Sequence, residues 1–166
     1  MRAKKEAFTM IELVFVIVVL GILVAIAIPK FAATRTDAQV SKGRADISSL
    51  RSSIVSERQS RLIRGQNSWI NRLDNGVASN TEDVVLFDSN ETLSATSPTL
   101  LPYGIKTKNG NGHWMKTNTN NYTYTVGGTA VGFTYYPSDT TTNGVFHRGG
   151  TFDCDHSVEM CKKLVE

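Results

Sequence analysis

The sequence has 166 residues, which is enough for one domain with a modest core. Hydrophobic residues make up 40% and charged residues 20%, as in ordinary globular proteins. The net charge of +3 is unevenly distributed: residues 30–64 carry eight basic and three acidic groups, whereas residues 65–166 carry seven basic and ten acidic groups. A uniformly basic chain is therefore excluded, because a basic middle precedes a mildly acidic C-terminal part.

The N-terminal region contains a long apolar run. Residues 13–28 hold no polar side chain, and residues 8–28 hold only two, Thr9 and Glu12. As a helix, these 21 residues would span about 30 Å, the thickness of a bilayer core. A secretory signal peptide is disfavoured, because the run is too long for its apolar region and residues 29–31 (Pro-Lys-Phe) do not form a small-residue cleavage site.

A plain signal anchor explains most of this run, but not Glu12. The basic residues before the run would stay in the cytoplasm, which sets the orientation of such an anchor. A carboxylate in lipid, however, costs on the order of 2.5–3.5 kcal/mol. A group this costly usually has a partner, so we expect Glu12 to be paired in the functional state.

The residues around Glu12 supply a third interpretation. Residues 4–13 (KKEAFTMIEL) resemble the class III leader junction of type IV pilins and type II secretion pseudopilins, and Pro29 lies where that family commonly has a proline. The resemblance implies that a prepilin peptidase cuts between Ala7 and Phe8 and that Phe8 becomes N-methylated. The family usually has glycine before the cut, whereas this chain has Ala7. Alanine is the next smallest side chain after glycine.

The same resemblance gives roles to Glu12 and Pro29. Cleavage would free an α-amino group on Phe8 that is largely cationic near pH 7. In a filament core, the Glu12 carboxylate of a neighbouring subunit would neutralise this amine, so that neither charge is buried alone. Pro29 removes a backbone donor and is expected to kink or loosen the helix, which Gly21 weakens further.

Partners and location also follow from the resemblance. It implies a homo-oligomer or filament with other pilin-like subunits, and contacts with the prepilin peptidase, an inner-membrane assembly platform and membrane lipid. The chain would cross the bacterial inner membrane once, with its head in the periplasm, and would then enter a pseudopilus or a cell-surface filament.

The chain divides into a cleaved leader, two helical segments and a head, which are residues 1–7 (leader), 8–29 (transmembrane and assembly helix), 30–65 (amphipathic stem helix) and 66–166 (head). Within the stem, Val40, Ile47 and Ile54 recur every seven residues and predict an apolar stripe that faces the head. Gly65 is a helix stop signal. We therefore expect one helix from about residue 8 to about residue 64.

Strand and turn signals predict a small antiparallel sheet in the head. The clearest is a hairpin, in which residues 122–126 and 130–136 alternate on either side of Gly127-Gly128. Less regular signals predict short strands at 84–87, 144–147 and 151–153, a short helix at 66–73, and a long loop at 88–121 in which Trp114 is a packed anchor. The predicted fold class is α+β, with the long helix packed on the sheet as in pilins.

Cys154 and Cys161 are the two cysteines of the chain. In an oxidising compartment they can form a disulfide, and the resulting loop resembles the terminal disulfide loop of type IV pilins, which usually encloses more residues. His156 lies between them and raises the question of a zinc site. The segment offers three ligands and no clear fourth, so zinc is not expected.

Two further sites are considered in the head. Major pseudopilins often bind calcium in a head loop, and Asp139, Asp153 and Asp155 are candidate oxygen ligands, although no dedicated loop motif surrounds them. Asn90 begins an Asn-Glu-Thr sequon and is a candidate glycosylation site. No cofactor is required, and calcium is the one metal that is considered.

Three functions are compatible with these features. The first is a structural subunit of a type II secretion or competence pseudopilus that moves protein or DNA across the envelope, and the second is a pilin of a surface type IV pilus used in adhesion or motility. The third is a membrane-anchored module that binds DNA or glycan. The stem arginines suit phosphates, but no aromatic residues interleave with them, so solvation or subunit contacts are their favoured role. An enzyme is not expected, because no Ser-centred elbow, phosphate-binding Gly loop or HExxH motif is present.

Overall fold

The computed structural model describes residues 8–89, 91 and 99–166. The described residues form two compact units, which divide between residues 37 and 38, inside a single helix. Each unit is described by itself below. The predicted segment boundaries at residues 7, 29 and 65 concern processing and assembly and stay predictions.

Helix α1 runs from Met10 to Ile63 and is continuous through Pro29. It ends in a Schellman motif, in which the Gly65 N–H donates to the Leu62 carbonyl (3.0 Å) and the Gln66 N–H donates to the Arg61 carbonyl (2.9 Å). Gly65 has a φ of 79°, which glycine adopts without steric cost. The predicted single helix and its glycine stop are confirmed.

Within the described part of the chain, eight strands and a short helix follow α1, and their order is β1 (Val85–Leu86), β2 (Ile105–Lys106), β3 (Trp114–Asn118), β4 (Asn121–Val126), β5 (Thr129–Tyr136), β6 (Thr140–Thr142), β7 (Val145–His147), β8 (Thr151–Cys154) and α2 (Glu159–Val165). The main sheet is antiparallel, with the order β3-β4-β5-β8. β1 pairs with β2, and β6 pairs with β7, in two separate ribbons. The predicted α+β class is confirmed.

The main sheet has one buried face and one open face, as its alternating sequence requires. On β4 and β5, alternate side chains are buried, while the residues between them are exposed or half-buried. The buried side chains form an aromatic core in which the Phe133 and Phe152 rings stack at 5.3 Å and Trp114 meets Tyr124 at 4.9 Å. The C-terminal part of α1 contributes Ile47, Leu50 and Ile54 to this core.

The predicted hairpin is confirmed, and its two-residue turn is formed by the two glycines. Gly127 and Gly128 have φ values of 55° and 85°, as a type I′ turn needs, and Val126 pairs with Thr129 across it. The predicted strand at 144–147 is confirmed as β7, although it pairs with β6 rather than with the main sheet. We call the β6–β7 ribbon (residues 140–147) the arm.

Two predictions for the head are wrong. Residues 66–73 are not helical, because their carbonyls bond to other parts of the unit: Ile70 O accepts from the Tyr135 hydroxyl at 2.7 Å, and Leu73 O accepts from the Ser89 N–H at 3.2 Å. The predicted loop at 88–121 contains strands β2 and β3. Its anchor, Trp114, is fully buried as expected, but it lies in β3.

Candidate assembly site

The first part of α1 exposes its apolar side chains. Between Leu13 and Ile28, the large apolar residues are 38–69% exposed, and Phe8 and Phe31 are 78% and 74% exposed. The helix is long and apolar enough to cross a membrane, with a mean hydropathy of 3.2 over an 18-residue window that is not buried at all. We call residues 10–37 the N-terminal half of α1. Among the residues that the structure describes, none covers the apolar surface of this half.

Glu12 forms a capping box with Thr9 at the start of the helix. The Glu12 N–H donates to Thr9 Oγ1 (3.3 Å), while the Thr9 N–H and hydroxyl donate to Glu12 Oε2 (3.5 and 3.4 Å). Among the residues that the structure describes, Glu12 makes no ion pair. The Thr-x-x-Glu signature of this box was present in the sequence, and sequence reasoning missed it.

The structure leaves the predicted processing and assembly residues without a direct test. Phe8 is exposed and precedes the capping box, whereas Ala7 lies outside the described residues. Pro29 lies inside the unbroken helix, so its predicted loosening in an assembled filament stays a prediction. Cleavage, methylation and the pairing of Glu12 with a neighbouring amine also stay predictions.

The second part of α1, residues 38–63, packs on the sheet, and we call it the C-terminal half. In the predicted stripe, Ile47 and Ile54 are at most 2% exposed and Val40 is partly buried against the same core, which confirms that the stripe faces the head. Gly43 lets the helix come close: a Cβ atom there would lie 2.5 Å from Tyr124 Cε1 and 2.7 Å from Leu164 Cδ2. No sequence signal distinguished Gly43 from an ordinary helix-weakening glycine.

Three arginines seven residues apart, Arg44, Arg51 and Arg58, bind the rest of the unit beside this stripe; we call them the docking row. Arg44 Nε donates to Lys163 O (2.6 Å), and Arg51 donates to Phe152 O (3.0 Å) and pairs with Asp153 Oδ1 (2.9 Å). The Arg58 guanidinium donates to Asn67 Oδ1 and lies 5.0 Å from the Trp69 ring centroid. The basic character of this helix therefore serves contacts within the unit.

Further along the helix, Arg61 is 5% exposed and is held by several acceptors. Its guanidinium pairs with Glu57 Oε1 (2.8 Å) and donates to the Trp69 and Glu91 carbonyls at 3.3 and 2.9 Å. The hydrogen bonds to these carbonyls offset part of the desolvation free energy of the buried guanidinium. Arg61 thus fixes the chain that leaves the helix.

Asp46 binds the buried tryptophan from the helix side. Trp114 Nε1 donates to Asp46 Oδ2 at 3.0 Å. Burial raises the pKa of Asp46, and the indole hydrogen bond and the charge of Lys42 oppose this shift only in part. The Asp46–Trp114 bond joins α1 to β3 across the core.

A buried polar network around Asp74 lies on the same buried face of the sheet, since Lys116 and Tyr122 alternate in register with Trp114 and Tyr124. The Asp74 carboxylate is fully buried and accepts hydrogen bonds from Lys116 Nζ, the Tyr122 hydroxyl and the Gly76 N–H at 2.7, 2.7 and 2.9 Å. Burial, and then the charge of Asp74, raise the pKa of Tyr122. Because Lys116 and Tyr122 are buried and the carboxylate is satisfied, the network is a structural feature and not an open site.

The candidate residues near the C-terminus are placed as follows. Cys154 and Cys161 form a disulfide that ties β8 to α2. The Asp139 carboxylate accepts from the Gly149 N–H (2.8 Å), and the Asp155 carboxylate accepts from the Ser157 N–H (2.8 Å), which lowers its pKa. Asp153 already pairs with the docking row and, at 3.1 Å, with His156.

These carboxylates do not converge on a metal position. Within residues 8–89, 91 and 99–166, no group of three or more His, Cys, Asp or Glu side chains is placed to hold a metal ion. The structure therefore gives the calcium prediction at Asp139, Asp153 and Asp155 no geometric support. The glycosylation candidate Asn90 lies outside the described residues.

Comparison with known proteins identifies the N-terminal segment. Residues 2–28 match the family model of the prokaryotic N-terminal methylation motif. No curated protein and no solved structure matches the chain. The motif, followed by a long N-terminal helix, is consistent with a type IV pilin-like protein, and it supports a pilin-like or pseudopilin-type structural subunit in general. A class III leader before an apolar helix also fits membrane anchoring.

Proposed function

We propose that the chain is a structural subunit of a type II secretion or competence pseudopilus, which assembles through the N-terminal half of α1 to move protein or DNA across the envelope. One observation carries the proposal: the methylation motif at residues 2–28 extends over the start of a long helix whose apolar side chains there are exposed among the described residues. Lipid can cover that surface before assembly, and the helices of other subunits can cover it afterwards.

Glu12 supports assembly over simple anchoring. Its carboxylate opens an otherwise apolar segment and, within the described chain, meets only the Thr9 capping groups. A free amine on Phe8 of a neighbouring subunit would supply the counter-charge that a buried carboxylate needs. A plain anchor would gain only the capping box from this residue, whereas the charge of the carboxylate raises the cost of insertion.

The head is built for rigidity. The docking row, the Asp46–Trp114 bond and the C-terminal disulfide join α1, the sheet and α2 of residues 38–166 through many polar links. A subunit that transmits force through its helix needs such links between helix and sheet. This mechanical role requires no catalytic group and no cofactor.

The test is intact mass together with N-terminal peptide mass on protein expressed with and without a prepilin peptidase. We expect peptidase-dependent loss of residues 1–7 and an N-methylated Phe8. The matched control is the Phe8→Ala variant, which leaves the helix and head unchanged and removes the aromatic N-terminus. A chain that keeps Met1 while the peptidase cleaves a known substrate would contradict the proposal.

The choice of machine needs a second measurement. In cells of the native host that lack the chain, we expect loss of protein secretion or DNA uptake and no loss of long surface filaments. Loss of surface filaments, with adhesion or motility, would instead assign the chain to a type IV pilus. Normal filaments, secretion and uptake would leave the third candidate, a membrane-anchored binding module.

A further inference from the structure

The open face of the main sheet forms one wall of a groove, and the arm forms the other. The groove has a volume of about 960 Å³ and is lined by residues of β4, β5, β7 and β8 together with the turn of the arm. Asn143 and Gly144 have φ values of 51° and 78°, which gives the arm a tight Asn-Gly turn. Sites for small organic ligands commonly have volumes of 300–1,000 Å³, so the groove is large enough for one.

The strand register orders the groove floor into cross-strand rows. Asn121, Thr134 and Asp153 are paired across β4, β5 and β8, so their side chains lie side by side on the open face. Tyr136 and Gly132 lie on either side of Thr134 in β5, each two residues and about 6.8 Å away from it along the strand. A polar row is therefore flanked by an aromatic ring and by a position without a side chain.

Gly132 is not explained by the fold. A Cβ atom there would meet nothing within 4 Å, and the residue is not among those with a positive φ. Glycine in the middle of a strand weakens the strand, and it often marks a place where a ligand approaches the backbone closely. The open space above Gly132 belongs to the groove.

Aromatic side chains form the other contact surface. The Tyr136 and His147 rings stack at 4.1 Å with an interplanar angle of 5°, which joins the arm to the sheet. Phe146 lies on the arm, lines the groove and is 59% exposed, although most of the unit's aromatic rings are buried. Flat rings beside a row of amide, hydroxyl and carboxylate groups suit a ligand with an apolar C–H face and polar edges.

The charges of the groove argue against a polyanion. Its charged lining groups are Arg148, Asp153 and Asp155, besides two histidines, and Asp153 is already paired with Arg51. A nucleic acid requires several cations along its path. A neutral ligand with many hydroxyl groups matches this lining, because hydroxyls both donate and accept hydrogen bonds.

We propose that this groove binds a neutral saccharide, with one sugar ring lying over Gly132, its hydroxyls on Asn121 and Thr134, and an adjoining ring against Phe146. The inference is independent of the filament proposal, since it concerns only residues 38–166. The ligand would be two to three sugar rings long, as the spacing of the floor rows along β5 suggests.

The test is calorimetric titration of the full chain in phospholipid nanodiscs, because many membrane detergents are themselves glycosides. The probes are maltotriose, cellotriose and triacetylchitotriose, each taken to about 10 mM to include weak binding. Two groove variants are used: Gly132→Trp fills the space over the floor, and Phe146→Ala removes the exposed ring. Tyr103→Ala is the matched control, since Tyr103 is 95% exposed and does not line the groove.

We expect saturable binding of at least one trisaccharide, a loss of affinity of about tenfold or more in both groove variants, and no change in Tyr103→Ala. Phe146→Ala keeps the test valid if Gly132→Trp misfolds, because Phe146 lies on the exposed arm. Three outcomes would overturn the proposal: no binding of any trisaccharide, binding that both groove variants retain, or tighter Phe146-dependent binding of a single-stranded oligonucleotide.

Discussion

The two halves of α1 belong to one helix, yet their apolar side chains have opposite surroundings. In the N-terminal half, residues such as Ile17 and Leu23 are 57% and 58% exposed, whereas in the C-terminal half Leu50 and Ile54 are at most 1% exposed. The C-terminal half finds its partner in its own sheet. Among the described residues the N-terminal half has no such partner, and we propose that lipid or the helices of other subunits cover it.

The polar residues of the two halves differ in the same way. The docking row binds carbonyls and a carboxylate of its own unit, so its charges are used internally. Glu12 has only the hydrogen bonds of a capping box, and its charge has no counter-charge in the described chain. The docking row stabilises the fold of its own unit, whereas Glu12 is free to select a partner. The following variants test this difference.

The largest effect is expected for Glu12→Gln. Glutamine keeps the capping box, which accepts either residue at this position, and removes only the charge. Without the charge, the amine of a neighbouring subunit would be buried unpaired. This would weaken the free energy of association by about 3–5 kcal/mol for each contact between subunits. We therefore expect filaments to be nearly absent while leader cleavage is unchanged, as measured by filament shearing with immunoblotting and by intact mass.

The control for this variant is Asp37→Asn, which removes an exposed acid of the same helix half. It should leave the filament yield unchanged. Normal assembly of Glu12→Gln would show that the carboxylate is not needed for pairing and would leave only its capping role.

A second pair of variants contrasts the two faces of the C-terminal half. Ile54→Ala removes a fully buried side chain and is expected to lower the unfolding free energy by about 3 kcal/mol. Its neighbour Val55 is 50% exposed, so Val55→Ala should change it by less than about 0.5 kcal/mol. Denaturant unfolding followed by tryptophan fluorescence measures both, and equal losses would show that the sheet does not cover the predicted stripe.

Two glycines allow the same contrast between the halves. Gly43→Ala would place a methyl group against Tyr124 and Leu164, so we expect a net loss of about 1–3 kcal/mol despite the better helix propensity of alanine. Gly21 has nothing within 4 Å of an added Cβ atom, so Gly21→Ala should leave the stability of the head unchanged. A Gly43→Ala variant that is more stable than the wild type would mean that α1 does not approach the sheet this closely.

The features of the fold that were predicted correctly from the sequence are local ones. The heptad spacing of Ile47 and Ile54, the Gly65 stop and the Gly127-Gly128 hairpin each depend on a few neighbouring residues, and all three are confirmed. The error at residues 66–73 has a different origin. Its helix-like pattern is overridden by Tyr135 and other distant donors, which a local pattern cannot show.

The candidate site shows the same contrast between local motifs, which were predicted, and contacts between distant residues, which were not. The leader motif is local, and the family comparison confirms it over residues 2–28. The roles of Gly43 and the docking row depend on side chains far away in sequence, such as Tyr124 and Asp153. Strand β3 was hidden for a similar reason, since Trp114 follows two Asn-Gly turns and is placed in the sheet by its pairing with Tyr124.

The smallest effect is expected for Asp46→Asn, which tests how the C-terminal half tolerates a charge against its core. Burial raises the folded-state pKa of Asp46 above the unfolded value of about 3.9, so ionisation of this group opposes folding above the folded-state pKa. As the pH falls between these two pKa values, the wild type should gain stability relative to the variant. The amide oxygen of asparagine can still accept the Trp114 hydrogen bond, so the core stays closed in both.

Urea unfolding near pH 7 and near pH 4 measures this difference, which should be under about 1 kcal/mol because Asp46 is only half-buried and water screens it. A wild type that loses stability relative to the variant on acidification would reverse the sign. It would mean that the Trp114 hydrogen bond and the charge of Lys42 together outweigh the loss of water around Asp46.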